Sequence, residues 1–134
     1  MTIKDINNLC KNTFIGYLGI EFNNFGENFI EAQMRVDSKM LQPMGSLHGG
    51  ASLALAETVA SGGSFMLVDE TKYTVLGLQV TGNHIATMSE GTLIARAELM
   101  HKGSSTHVWD VKISSTEGKL ISVARVTNII IEKK

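Results

Sequence analysis

Proline and cysteine each occur once in these 134 residues, as Pro43 and Cys10. A single thiol cannot close an intramolecular disulfide, which excludes the stapled scaffolds of small secreted proteins. No charge of one sign prevails: 12 Lys and Arg stand against 13 Asp and Glu, the formal net charge is -1, and the charges are scattered. That balance excludes the basic patch that nucleic acid or an anionic membrane surface asks for. Long apolar runs are missing as well. The longest charge-poor stretch, Met40 to Val68, is interrupted by Pro43, His48, Glu57 and five glycines, so it reads as a buried segment and not as a membrane span. The opening "MTIKDINNLCKNTF" has neither the basic start nor the continuous apolar stretch of a signal peptide, and a reducing cytoplasm is the expected location. Linkers, low-complexity tracts and internal repeats are also lacking, so one domain over residues 1–134 is expected, long enough to bury about two-thirds of its unfolded surface.

What the chain does contain is a helix, a hairpin, a long helix and then strands. Ile3, Ile6, Leu9 and Cys10 recur at helical spacing and predict a short amphipathic helix over Thr2 to Lys11. Two strands follow, Gly19 to Asn24 and Asn28 to Val36, with Ile30, Ala32, Met34 and Val36 alternating against Phe29, Glu31, Gln33 and Arg35. From Gly49 to about Val68 there is helix length, no proline and abundant Ala and Leu, with Gly62 and Gly63 weakening the last turns. Tyr73 to Ile85, Glu90 to Lys102, Thr106 to Ser115 and Lys119 to Ile131 are β-rich runs that read as a four-strand meander. The fold class is α+β: an antiparallel sheet with one long helix on a face. Because that helix is small or apolar all round, something must wrap it, and a curled sheet can do so only if the helix is thin. The last strand, ending "VTNIII", reads as too apolar for a free edge and suggests that a second copy of the chain hides it.

Glu57 is the residue that this packing does not explain. A carboxylate among alanines and valines costs several kcal/mol unless it is paired, hydrogen-bonded or protonated, and no Lys or Arg lies within a turn or two of it. It either meets a sheet cation such as Arg96 or Arg125, faces a wet gap, or does chemistry. Ser61, at i+4, shares its helical face and could hold a water against it. Gly49 and Gly50 leave the first backbone N–H groups of the helix unobstructed, and with the helix dipole these favour a polarised carbonyl oxygen or an oxyanion. His48 is open to two roles, a second donor to that oxygen or a helix cap. Gln42 either orients a water or closes a turn.

Gln42-Pro43, His48-Gly49-Gly50-Ala51-Ser52 and Leu55-Ala56-Glu57-Thr58, at this spacing, resemble the hotdog-fold acyl-coenzyme A thioesterases, in the branch of the 4-hydroxybenzoyl-CoA and 1,4-dihydroxy-2-naphthoyl-CoA thioesterases. The resemblance runs from "YLGIEF" through "GLQVTGNHI", "GTLIARAELMHKG", "HVWDVKI" and "GKLISVARVT", all but the first dozen or so residues. It implies a hotdog fold, a curved antiparallel sheet wrapped around one central helix. It also implies edge-joined subunits with active sites between them, in a dimer assembled further into a tetramer. The implied reaction is hydrolysis of an acyl-CoA thioester with an aromatic acyl group. Glu57 would be nucleophile or general base, the Gly49 N–H with help from His48 would polarise the carbonyl, Gln42 would position substrate or water, and Ser61 would assist. Gly50, and Asn83 and His84 in "GNHI", fall to substrate binding, His84 towards the acyl end; without the resemblance His84 is equally a strand-end histidine at a rim. Relatives carry arginines after the glycine of "HKGSS", where CoA phosphates approach. Here Lys102, the Gly103 backbone, Ser104 and Ser105 would have to supply those donors, or the stretch is an ordinary polar turn. No metal or separate cofactor is called for, since His48, His84, His101 and His107 lack ligand spacing and coenzyme A is part of the substrate. Two rivals stay open: a hotdog hydratase or dehydratase acting on acyl thioesters, and a non-catalytic acyl-CoA-binding module.

Overall fold

Helix α1, Ile3–Cys10, starts from a reciprocal cap: the Asp5 N–H donates to the Thr2 hydroxyl at 3.1 Å, and the Thr2 N–H donates to the Asp5 carboxylate at 2.9 Å. Its inner face is held to the sheet by one side chain. Asn7 Oδ1 accepts from the Phe22 N–H and Asn7 Nδ2 donates to the Phe22 carbonyl, both at 2.8 Å, so the amide satisfies both main-chain groups of Phe22. A single helical turn, α2 (Phe14–Tyr17), then leads into β1 (Glu21–Phe25) and β2 (Phe29–Val36). In β2, Ile30, Ala32, Met34 and Val36 are buried, as the alternation requires. The computed structural model describes Met1–Lys134 throughout.

Helix α3, Gly49–Leu67, is followed by β3 (Tyr73–His84), β4 (Gly91–Lys102), β5 (Thr106–Ser115) and β6 (Leu120–Glu132). The six strands form one sheet in the order β1-β2-β4-β5-β6-β3, with every pairing antiparallel. Two expectations need correction here. Only β4, β5 and β6 form a meander; β3 pairs with β6. The 19 residues of α3, about 28 Å of helix, carry the chain across the sheet to its far side, so β4 returns to β2 and β3 is left at the edge. Strand β6 is accordingly internal, and its apolar run is explained by β5 on one side and β3 on the other, with no need of a second copy. The sheet's two edges are β1 and β3, and β3 presents Leu76 and Leu78 to solvent.

The concave side of the sheet grips α3 where the helix is thinnest. A Cβ built on Gly62 would run into the ring of Phe22, and one on Gly63 would lie 2.6 Å from Trp109. The glycines that weaken the last turns therefore let an aromatic ring from β1 and another from β5 reach the helix backbone. Leu55, Ala56, Val59 and Ala60 complete the buried side of α3, against Ile30, Met34, Leu93 and Ile113 among others. The grip is one-sided: Ala54, Glu57, Thr58, Ser61 and Phe65 remain half-buried. No helix is long and apolar enough to cross a membrane.

Candidate active site

The half-buried side of α3 opens onto a cavity of about 560 Å³. Helix α1 and the turn after it supply Ile6, Leu9, Cys10, Phe14 and Ile15, β1 supplies Phe22, and β3 supplies Val75. Set into this apolar wall are Glu57, Thr58 and Ser61, three polar groups on one stripe of the helix. Glu57 makes no ion pair and no hydrogen bond within the chain. The two sheet cations proposed as its partners are engaged elsewhere: Arg96 with Glu31 at 3.4 Å and Glu98 at 3.6 Å, and Arg125 with Asp110 at 2.7 Å. The carboxylate lies over the backbone of β3 at Gly77, where any side chain larger than hydrogen would collide with Oε2. Gly77 also opens a β-bulge, the ladder with β6 shifting register between Gly77 and Gln79. Sequence reasoning missed Gly77, since nothing local marks one glycine in a strand as the seat of a residue twenty positions earlier.

At the start of α3 the structure shows one of the two roles considered for His48. Its Nδ1 accepts the Gly50 N–H at 2.7 Å, which caps the helix. A ring nitrogen that accepts carries no proton, so the neutral imidazole holds its proton on Nε2, a donor left for something outside the chain. The Gly49 N–H has no acceptor within the chain, because the Ala51 N–H returns to the His48 carbonyl and Gly50 is taken by the cap. His84, at the end of β3, stands over this point: a Cβ on Gly49 would lie 2.5 Å from His84 Nε2, and His84 Nδ1 is hydrogen-bonded to Ser122 Oγ at 2.8 Å. Gly49, Gly50, His48 and His84 thus form one corner, in which the Gly49 N–H is the free main-chain donor.

The other predicted residues are not gathered there. The Gln42 amide closes its own loop: Nε2 donates to Ser46 Oγ at 2.9 Å, and Oε1 accepts the Met44 N–H. Asn83 points to the outer face of the sheet, in a cleft with Lys112 and Arg125. Lys102, Gly103, Ser104 and Ser105 form the β4–β5 turn, whose Gly103 N–H donates to the Thr106 carbonyl at 2.8 Å. That turn is separated from His84, which lines up through Ser122 with Ile113, by seven residues of β5, about 23 Å. Even Glu57 and Gly49 are apart: eight residues of helix are about 12 Å along the axis. One carbonyl group cannot touch both in the same chain. No three His, Cys, Asp or Glu side chains converge anywhere in the structure.

Ser61 leads to a feature that sequence reading did not find. Its hydroxyl donates to Asn128 Oδ1 at 3.2 Å, and Asn128 links it to a buried polar cluster centred on Ser64 Oγ, which Asn128, His107 and Trp109 all meet. Burial holds the His107 imidazole below its ordinary pKa, with the nearby charges of Lys102 and His101 acting in the same direction. The cluster's bonded pairs lie 43 to 67 positions apart in sequence, beyond any local pattern.

A sheet curled around one central helix, with an unpaired acid on that helix and a free amide N–H at its leading end, is the arrangement of a hotdog-fold hydrolase. The chain belongs to the thioesterase superfamily, whose family model matches residues 44–122, and this bears out the resemblance drawn from its motifs. The 1,4-dihydroxy-2-naphthoyl-CoA hydrolase of Escherichia coli is 35% identical over 131 residues, covering 98% of this chain and 96% of its own. The crystal structure of a mutant thioesterase from Pseudomonas aeruginosa superposes with a TM-score of 0.95 at 38% identity, covering 99% of this chain and 96% of that one. A thioesterase from Haemophilus influenzae gives 0.93 at 41% identity, covering 98% and 92%.

Proposed function

We propose that the protein hydrolyses an acyl-CoA thioester to the free acid and coenzyme A. The observation that carries this reading is Glu57, a carboxylate without a partner facing an apolar cavity of about 560 Å³. The acyl group occupies that cavity, and Phe14, Phe22 and Phe65 in its wall favour an aromatic one. The thioester carbonyl oxygen accepts from the Gly49 N–H, assisted by the helix dipole and the outward Nε2–H of His48, and Glu57 attacks or activates a water.

Since Gly49 and Glu57 of one chain stand about 12 Å apart along α3, the reaction needs two copies with their helices antiparallel. The Glu57 of one copy then faces the Gly49 corner of the other. The exposed edge β3 is where the copies join: antiparallel pairing of two such edges continues the sheet and covers Leu76 and Leu78. The same reversal brings the Lys102–Ser105 turn of one chain towards the donor corner of the other, within reach of a long CoA tail.

A panel of aromatic and aliphatic acyl-CoAs, assayed by released thiol, tests the reaction and ranks the substrates. Glu57→Gln should lower kcat by about 1,000-fold or more while acyl-CoA still binds. Near-normal turnover by that variant would refute the assignment, and tight binding with no thiol released by the unaltered protein would point to a binding module instead.

A further inference from the structure

The hydroxyl of Ser61 carries one proton, and the structure determines where it goes. Asn128 Oδ1, 3.2 Å away, has no proton to offer, so Ser61 is the donor. The amide cannot be turned round. Asn128 Nδ2 faces the Ala60 carbonyl at 3.3 Å, which only accepts, and Ser64 Oγ at 2.9 Å. Ser64 Oγ also accepts from Trp109 Nε1 at 2.9 Å, so with two donors already aimed at it, its own proton goes to His107 Nδ1 at 2.8 Å. Asn128, Ser64 and Trp109 are fully buried and His107 is nearly so. Every proton in the cluster is assigned, and no member can rotate without leaving a buried polar atom unpaired.

The consequence appears on the cavity side. A serine in mid-helix would otherwise donate to the carbonyl one turn back, which is that of Glu57, or to the Glu57 carboxylate itself. A hydroxyl donated to the carboxylate would occupy the lone pairs that have to receive a proton. We propose that Asn128 is a positioning residue: it draws the Ser61 proton into the core, so that Ser61 meets the cavity only as an acceptor. A water there gives one O–H to Glu57 and the other to Ser61 and turns its free lone pair on the thioester carbon. Glu57 takes the first proton as the C–O bond forms. The carbon–sulfur bond then breaks, the sulfur leaves with that proton as free thiol, and the acyl group departs as the acid. This rests on the thioester-hydrolase reading and assigns Glu57 the role of general base within it.

A double-mutant cycle in the full chain tests the inference. Asn128→Ser, whose hydroxyl is too short to reach Ser61, should lower kcat about 10- to 100-fold with little change in KM, and Ser61→Ala should do the same. The double variant should be no slower than Ser61→Ala alone, since the amide then has nothing left to orient. If the two losses multiply, Asn128 acts on the fold at large and the inference falls, while the hydrolase reading stands. If the unaltered protein releases no thiol from any acyl-CoA, the hydrolase reading falls and takes this one with it. Circular dichroism and melting curves establish that each variant is folded, and Asn128→Thr, closer in volume, takes the place of Asn128→Ser in the cycle if the serine variant is not.

Discussion

The Glu57 carboxylate lies where a side chain on Gly77 would be, directly over the backbone of the edge strand. One residue supplies the acid and the other, by having no Cβ, supplies its seat. Gly77→Ala should therefore push the carboxylate out of place and lower kcat/KM by about 100-fold, the scale of loss that a displacement near 1 Å produces. Stability should hold or rise, because alanine is less costly than glycine in an extended strand. Thiol release and melting temperature measured on the same preparation check both halves.

His48 caps α3 and, in the proposed reaction, donates to the thioester oxygen, and two substitutions separate these roles. His48→Ala should cost about 1 kcal/mol of stability through the unpaired Gly50 N–H. His48→Asn restores an acceptor at the cap position but places no N–H where Nε2 stood. Its melting temperature should recover while kcat stays low. Recovery of both would mean that the imidazole is structural only.

The buried cluster makes stability depend on pH through His107. Its pKa is lower folded than unfolded, chiefly because burial disfavours the charged ring. Below the unfolded value of about 6.5 the unfolded chain therefore binds more protons, and stability falls as pH falls. Above it the contribution is fully present. Urea midpoints measured between pH 7.5 and 5 should drop, and His107→Gln should flatten that part of the profile. An equal slope in the variant would place the titration elsewhere.

Asn7 ties α1 to β1 by two hydrogen bonds to Phe22, and α1 supplies one wall of the cavity. Asn7→Ala should cost about 2 kcal/mol and loosen that wall. KM should rise several-fold for acyl groups that fill the cavity and little for acetyl-CoA. A uniform change across chain lengths would separate α1 from acyl binding.

The local elements were legible because each depends on its own residues. The two-residue alternation of β2 and the Ala- and Leu-rich α3 carry their structure in nearest neighbours. The order of the strands was not, since β3 and β6 pair across about fifty residues and only the reach of α3 decides it. The same division runs through the site. Glu57 announced itself as a charge in an apolar segment, and Gly49 and His48 as a cap sequence. Gly77, Asn128 and Asn7 did not, because each acts on a residue that the fold alone brings near. The apolar end of β6 misled for a related reason: its composition fits an internal strand as well as a covered edge, and only the pairing distinguishes them.

The eight residue steps of helix from Gly49 to Glu57 also govern how defects combine. In the proposed arrangement each reaction centre is drawn from two chains, so a protomer lacking the acid and a protomer lacking the capping imidazole should each be nearly silent alone. Refolded together at random, half of the pairs are mixed, and each of these carries one faultless centre. About a quarter of normal turnover should then return from two dead preparations.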